Sequence, residues 1–206
     1  MCQLKFTHHK VCVIKSYDYS IVKEFISKIM KEQDMSDFKV EGVEINDVIK
    51  RRIRFLLDAA KNELKKDQVV TYAMRVLSNH ATIGKDAGSA EIKKQNKKVS
   101  KKARQLLYSA DLATYCQNTI NEHTKPILLT WDWLKEHAYT LSIEEVWNEF
   151  SNNTMVTVTK DEDNYIKTKG LNSIGDMQSR YTDLGITIVT LSETPRDYHK
   201  KLKQKN

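Results

Sequence analysis

The sequence predicts a mainly helical α+β fold, and three observations carry that reading. Apolar residues recur at helical spacing over long segments, first from Ile21 to Met30 and again from Ile49 to Leu64. Two short runs near the end of the chain, "TMVTVT" and "ITIVTL", are rich in β-branched residues and read as strands. Between them lie two helix starts, so the last third reads β-α-α-β. A chain of 206 residues, 40% hydrophobic and 30% charged, buries a core without covalent staples.

Taken in order, "QLKFTHHKVCVIK" forms a strand or small hairpin, and Asp18 or Ser20 caps a helix running to about Glu32. A second helix spans about Ile45 to Lys66, with Ile49, Ile53, Leu56, Leu57, Ala60 and Leu64 on its apolar face. Lys50, Arg51, Arg52 and Arg54 crowd its first half. "VVTYAMRVLSNHA" is a third helix ending near His80, and "TIGKDAGS" is a glycine-bearing loop. That loop lacks the Gly-Lys-Ser/Thr spacing of a phosphate loop.

Residues 91–104, "EIKKQNKKVSKKAR", read as one basic central helix with Ile92, Val99, Ala103 and Leu106 on a packed stripe. The helical pattern then continues through "LLYSADLATYCQN" or breaks between Ser109 and Asp111. Pro126 biases Lys125 away from helical geometry, so Asn121 to Ile127 is extended or turned. "TWDWLKEHAY" is a short helix capped by Thr130, and "SIEEVWNEF" another, with Ser142 and Glu145 in capping-box spacing. Trp131, Trp133, Trp147 and Phe150 suit a core.

Thr159 and Glu162 form a second capping box. Asp161, Glu162 and Asp163 then compensate the helix dipole rather than hold a metal. Gly170 ends that helix, a short helix follows over about 176–184, and Gly185 ends it. After Pro195, residues 196–206 read as a short frayed helix or a disordered basic arm. A single domain over 1–206 is the simplest organisation. A subdivision into a helical part, 1–112, and a mixed part, 113–195, with the basic tail at 196–206, is the alternative.

No apolar run approaches the roughly 18 residues that cross a bilayer, and the N-terminus lacks the pattern of a signal peptide, so a cytoplasmic protein without a membrane partner is expected. Cys2, Cys12 and Cys116 are odd in number and widely spread, which indicates neither a disulfide framework nor a zinc site.

Charge directs the functional reading. The chain carries +7, yet residues 91–104 hold six lysines, one arginine and one glutamate, and residues 196–206 hold four lysines, one arginine and one aspartate. These two segments more than account for the whole excess. Lys93, Lys97 and Lys101 at i, i+4 spacing on one helix would repel one another, a cost that an anionic partner such as a phosphate backbone offsets. Lys93, Lys94, Lys97, Lys98, Lys101 and Lys102 are therefore the candidate nucleic-acid contacts, with DNA and RNA both open. A solvated lysine-rich face is the bland alternative. No aromatic ladder interrupts the lysines, so a base-stacking platform is not indicated.

Among the histidines, His123 stands out by its neighbours: Glu122 precedes it and Pro126 follows. An imidazole beside a carboxylate and near cations suits phosphodiester cleavage. His123 would act as general base, Glu122 would orient it or bind a divalent ion such as magnesium, and Arg104 or Arg180 would stabilise phosphate charge. Adjacent residues on a strand point to opposite faces, however, so the two share a site only at a turn.

"EHTKP" resembles the first motif of HNH-type nucleases, and that resemblance implies a general-base role for His123 in a metal-binding unit. No asparagine and second histidine follow in the matching pattern. More broadly, "KKARQLL", "NEHTKP", "VTKDED" and "RYTDLGI" resemble a group of uncharacterised bacterial and phage proteins. The positions matched are Glu122, His123, Pro126, Thr159, Lys160, Arg180, Tyr181 and Gly185. The expectation is thus a nucleic-acid-interacting protein with nuclease activity centred on His123. The alternatives are a binding module without catalysis, and a phage or antiviral-defence protein that binds an acidic protein partner.

Overall fold

The computed structural model describes residues 39–40, 43–173 and 177–205. The predicted N-terminal strand or hairpin and the helix over 18–32, with His8, His9, Cys2 and Cys12, lie outside them. The fold is mixed α+β and mainly helical. A short antiparallel pair, β1 (Lys39–Val40) and β2 (Val43–Glu44), precedes α1 (Asp47–Lys61) and α2 (Gln68–Ile83). There follow α3 (Ser89–Gln95), β3 (Lys98–Ser100), α4 (Lys101–Ser109) and α5 (Leu112–Asn118). Next come β4 (Thr119–His123), α6 (Ile127–His137), α7 (Ile143–Asn152) and β5 (Met155–Thr159). The chain closes with α8 (Lys160–Thr168), a π-helical turn (Gln178–Thr182), β6 (Ile188–Thr190) and α9 (Pro195–Lys205).

Helices α1, α2, α6 and α7 share one core because each repeats apolar residues on one face. Ile49, Ile53, Leu56 and Leu57 meet Val70, Ala73, Met74 and Leu77, and Trp131, Leu134, Trp147 and Phe150 close the cluster. Trp133 packs at its border. The helix starts are locally encoded. Asn46 accepts from the Ile49 amide at 3.0 Å, Asp67 accepts from those of Val69 and Val70, and the Ser142–Glu145 capping box is complete. Gly84 ends α2 at φ 76°, a backbone that favours glycine. Helix α6 begins at Ile127 with Pro126 at the cap, so Thr130 lies inside the helix instead of capping it.

The sheet has the order β4-β5-β3-β6, with β3 parallel to β5 and the other neighbours antiparallel. Its inner strand β3 comes from before residue 112 and its neighbours β5 and β6 from after it, so the sheet spans the subdivision considered above. Alternation of side chains gives the sheet two packed faces. Val99 packs with Ala103, Leu107, Tyr115 and Leu191 on one face, while Val156 and Val158 pack with Ile166, Tyr181 and Ile186 on the other. The acidic first turn of α8 is part of this build. Thr159 and Glu162 form the expected capping box, and Glu162, 4% exposed, also accepts from the Ser100 hydroxyl at 2.5 Å.

One further expectation is corrected. The basic central helix over 91–104 is three elements: α3, β3 and the start of α4. Asn96 breaks it. Its amide donates to Met155 O at 3.1 Å and Thr157 Oγ1 at 3.2 Å, and its oxygen accepts from the Lys98 amide at 3.0 Å. Val99 then pairs with Thr157 on one side and Val189 on the other, and Ser100 caps α4 by accepting from Ala103 N. Ile92, Val99 and Ala103 are buried as expected, but on separate elements. Lys93, Lys97 and Lys101 therefore do not form a repelling row on one helix.

Of the two readings of the tail, the helix is the one present, as α9. Pro195 sits in its first turn, where its missing N–H costs nothing, and Thr194 accepts from the Asp197 amide while donating to its carboxylate. Among the described residues no helix is long and apolar enough to cross a membrane.

Candidate nucleic-acid interface

The Glu122–His123 segment lies on strand β4, not on a turn, and the pleat separates the two side chains. Glu122 stands opposite Val156 and His123 opposite Met155. Glu122 therefore shares the face of Val156, where the π-helical turn delivers Arg180. That guanidinium, 1% exposed, forms an ion pair with Glu122 and donates to the carbonyls of His123 at 2.8 Å and Thr124 at 3.5 Å. Charge-assisted bonds of this kind clamp the end of β4 to the turn. Arg180 also lies 5.9 Å from the Tyr181 ring, whose hydroxyl is pushed up to about 12, chiefly by burial.

On the opposite face the His123 Nε2 is buried and has no hydrogen-bond partner among the described residues. Burial, with the Arg75 cation adding to it, lowers its pKa to about 4, so the ring is neutral at pH 7. Glu122 is thus in no position to orient His123, and no cluster of three or more His, Cys, Asp or Glu side chains suited to a metal forms among the described residues. Arg104 is on α4, whose Ala103 packs against the sheet face opposite the one that holds Tyr181, so Arg104 and Arg180 do not converge. Strand geometry takes apart the catalytic set expected from sequence.

The two basic segments come together instead. Helix α9 packs on α3 and α5. Arg196 of the tail forms an ion pair with Glu91 of α3, and that partner is the main cause holding the Glu91 carboxyl below its ordinary range. Lys97 donates to Ser192 O at 3.3 Å, and the Leu191 amide donates to Lys97 O at 2.9 Å. The lysines expected to contact nucleic acid then divide by role. Lys97, Lys98, Lys101 and Lys102 are exposed, as are Lys200, Lys201 and Lys203 of the tail. Lys93 is partly buried and donates to Cys116 O at 2.8 Å, and burial lowers its pKa. Lys94 is also partly buried. Lys98 reaches Thr154 Oγ1 at 2.8 Å, and Lys201 pairs with Glu193 at 2.7 Å. Lys101, Lys102 and Arg104 form no ion pair with a described residue.

The fold adds an aromatic feature to this surface. Tyr108 of α4, 54% exposed, meets Tyr198 of α9 with ring centroids 4.9 Å apart. Tyr198 is far along the chain, so the spacing of residues around the lysines carries no trace of the pair. The one available signal was "TPRD" at 194–197, which marks the start of an ordered helix in the tail. Compared with models of known protein families, with curated proteins and with solved structures, the chain matches none.

Proposed function

We propose that the chain binds nucleic acid, without cleaving it, through the surface made by α3, β3, α4 and α9. The observation that carries the reading is that the +6 and +4 segments, distant in sequence, pack side by side with most of their lysines in solvent. Cations exposed on adjoining elements neutralise successive phosphates and release their counterions, a large and often dominant source of affinity in such complexes. A helix-dipole cost points the same way. Lys101 and Lys102 occupy the first turn of α4, which has no acidic residue, so two cations sit at the positive end of the helix dipole. Each placement costs about 0.3–1 kcal/mol at an exposed site, and a bound phosphate reverses its sign. Cleavage is left out because Glu122 is engaged by Arg180 and the His123 Nε2 is buried.

The test is fluorescence anisotropy with labelled DNA and RNA across a salt series. Log affinity is expected to fall linearly with log salt, with a slope of about −0.9 per phosphate neutralised on a duplex. Charge reversal at Lys97, Lys101 and Lys102 should weaken binding and flatten the slope. Unchanged binding by that variant, or none by the native chain at low salt, would reject the proposal.

A further inference from the structure

We infer that this surface takes single-stranded nucleic acid, with one unpaired base stacked on Tyr108 and neighbouring phosphates held by Lys101 and Arg104. The inference rests on the nucleic-acid reading above and specifies its substrate. On α4, Arg104 lies one turn before Tyr108 and Lys101 two turns before it, so the three side chains form one stripe. Lys101 is exposed and Arg104 partly so. Tyr108 has 54% of its surface in water, while the rest of α4 buries Ala103 and Leu107 beneath it. Its ring is held from one side. Tyr198 meets it at 4.9 Å with planes inclined by 48°, and Tyr198 is in turn met edge-on by His199 at 5.3 Å.

His199 is only 8% exposed, and Tyr198 packs on the cluster that contains Leu107 and Tyr115, so the row of rings is anchored in the core. A tyrosine packed in this way keeps more than half of its surface in water, next to cations without acidic partners among the described residues. Base–aromatic stacking uses such a face and tolerates any base, but it needs a base free of its duplex. Double-stranded nucleic acid offers the phosphates without the free base.

Anisotropy titrations of the full chain with a single-stranded DNA, a single-stranded RNA of the same sequence and the corresponding DNA duplex test this. Tyr108→Ala should lower affinity for a single strand by about 5- to 150-fold, the range for one stacked base, and leave duplex affinity and the salt slope unchanged. Tyr108→Phe, which keeps the ring, should retain single-strand affinity, and this guards against a folding defect. A Tyr108→Ala loss on either strand supports the inference, and the strand with the larger loss identifies the sugar. Equal single-strand binding by Tyr108→Ala and the native chain overturns stacking while leaving the electrostatic reading intact. Absence of binding to all three ligands overturns both.

Discussion

Replacing Glu122 by glutamine separates a structural from a catalytic role for the E-H-x-x-P segment. The Arg180 guanidinium is 1% exposed, and Glu122 is its only acidic partner among the described residues. Removing one member of a buried pair leaves the other charge uncompensated, a cost of about 3–5 kcal/mol. The lower figure applies here, because the Glu122 side chain is 16% exposed and water reaches the vacated position. Arg180→Met should cost a similar amount, since it also takes the donor from His123 O and Thr124 O. Glu122→Gln combined with Arg180→Met removes both charges, so its cost should fall below the sum of the two singles by about 1–3 kcal/mol. Urea unfolding followed by circular dichroism gives all of these values. Strictly additive losses, or a Glu122→Gln change within about 0.5 kcal/mol of the native chain, would refute the clamp.

Three further outcomes follow from the packing. Because the folded His123 pKa of about 4 lies below the unfolded value near 6.5, the unfolded chain binds more protons between those values. Its contribution to stability is complete above pH 6.5 and is lost as pH falls toward 4, by up to about 3 kcal/mol. His123→Gln should flatten the pH dependence of urea midpoints in that window, and parallel curves would contradict the burial of the ring. Asn96→Ala strands Met155 O and the Lys98 amide, and should cost about 2 kcal/mol in the same assay; a loss below about 0.5 would remove Asn96 as the cause of the break between α3 and β3. Thr194→Ala should cost about 1 kcal/mol as a lost helix cap, whereas a disordered tail would show no change.

What the sequence disclosed follows the range of the interactions involved. The boxes Ser142–Glu145 and Thr159–Glu162 and the apolar faces of α1 and α2 depend on residues within a few positions, and each was legible. Residues 91–104 were misread because Asn96 finds its partners at Met155 and Thr157, and because strand β3 exists only through pairing with β5 and β6. Alternation parts Glu122 and His123 only on a strand, which the pairing of β4 with β5 decides, and nothing local marks Arg180, far along the chain, as the partner of the carboxylate. The two basic segments were visible as composition, and their adjacency was not, since it arises from the docking of α9 on α3 and α5.

The most direct test of one continuous basic surface compares salt slopes across three neutralised sets. Lys101, Lys102 and Arg104 form the first, Lys200 and Lys203 the second, and Lys61, Lys65 and Lys66, exposed at and beyond the end of α1, the third. With each residue changed to glutamine, the first two sets should each lower the slope for single-stranded binding, by about 0.7 for every phosphate left without its cation, and together lower it further. The third set should leave it unchanged. Equal effects from all three sets, or no effect from the first two, would contradict a single surface built by α4 and α9.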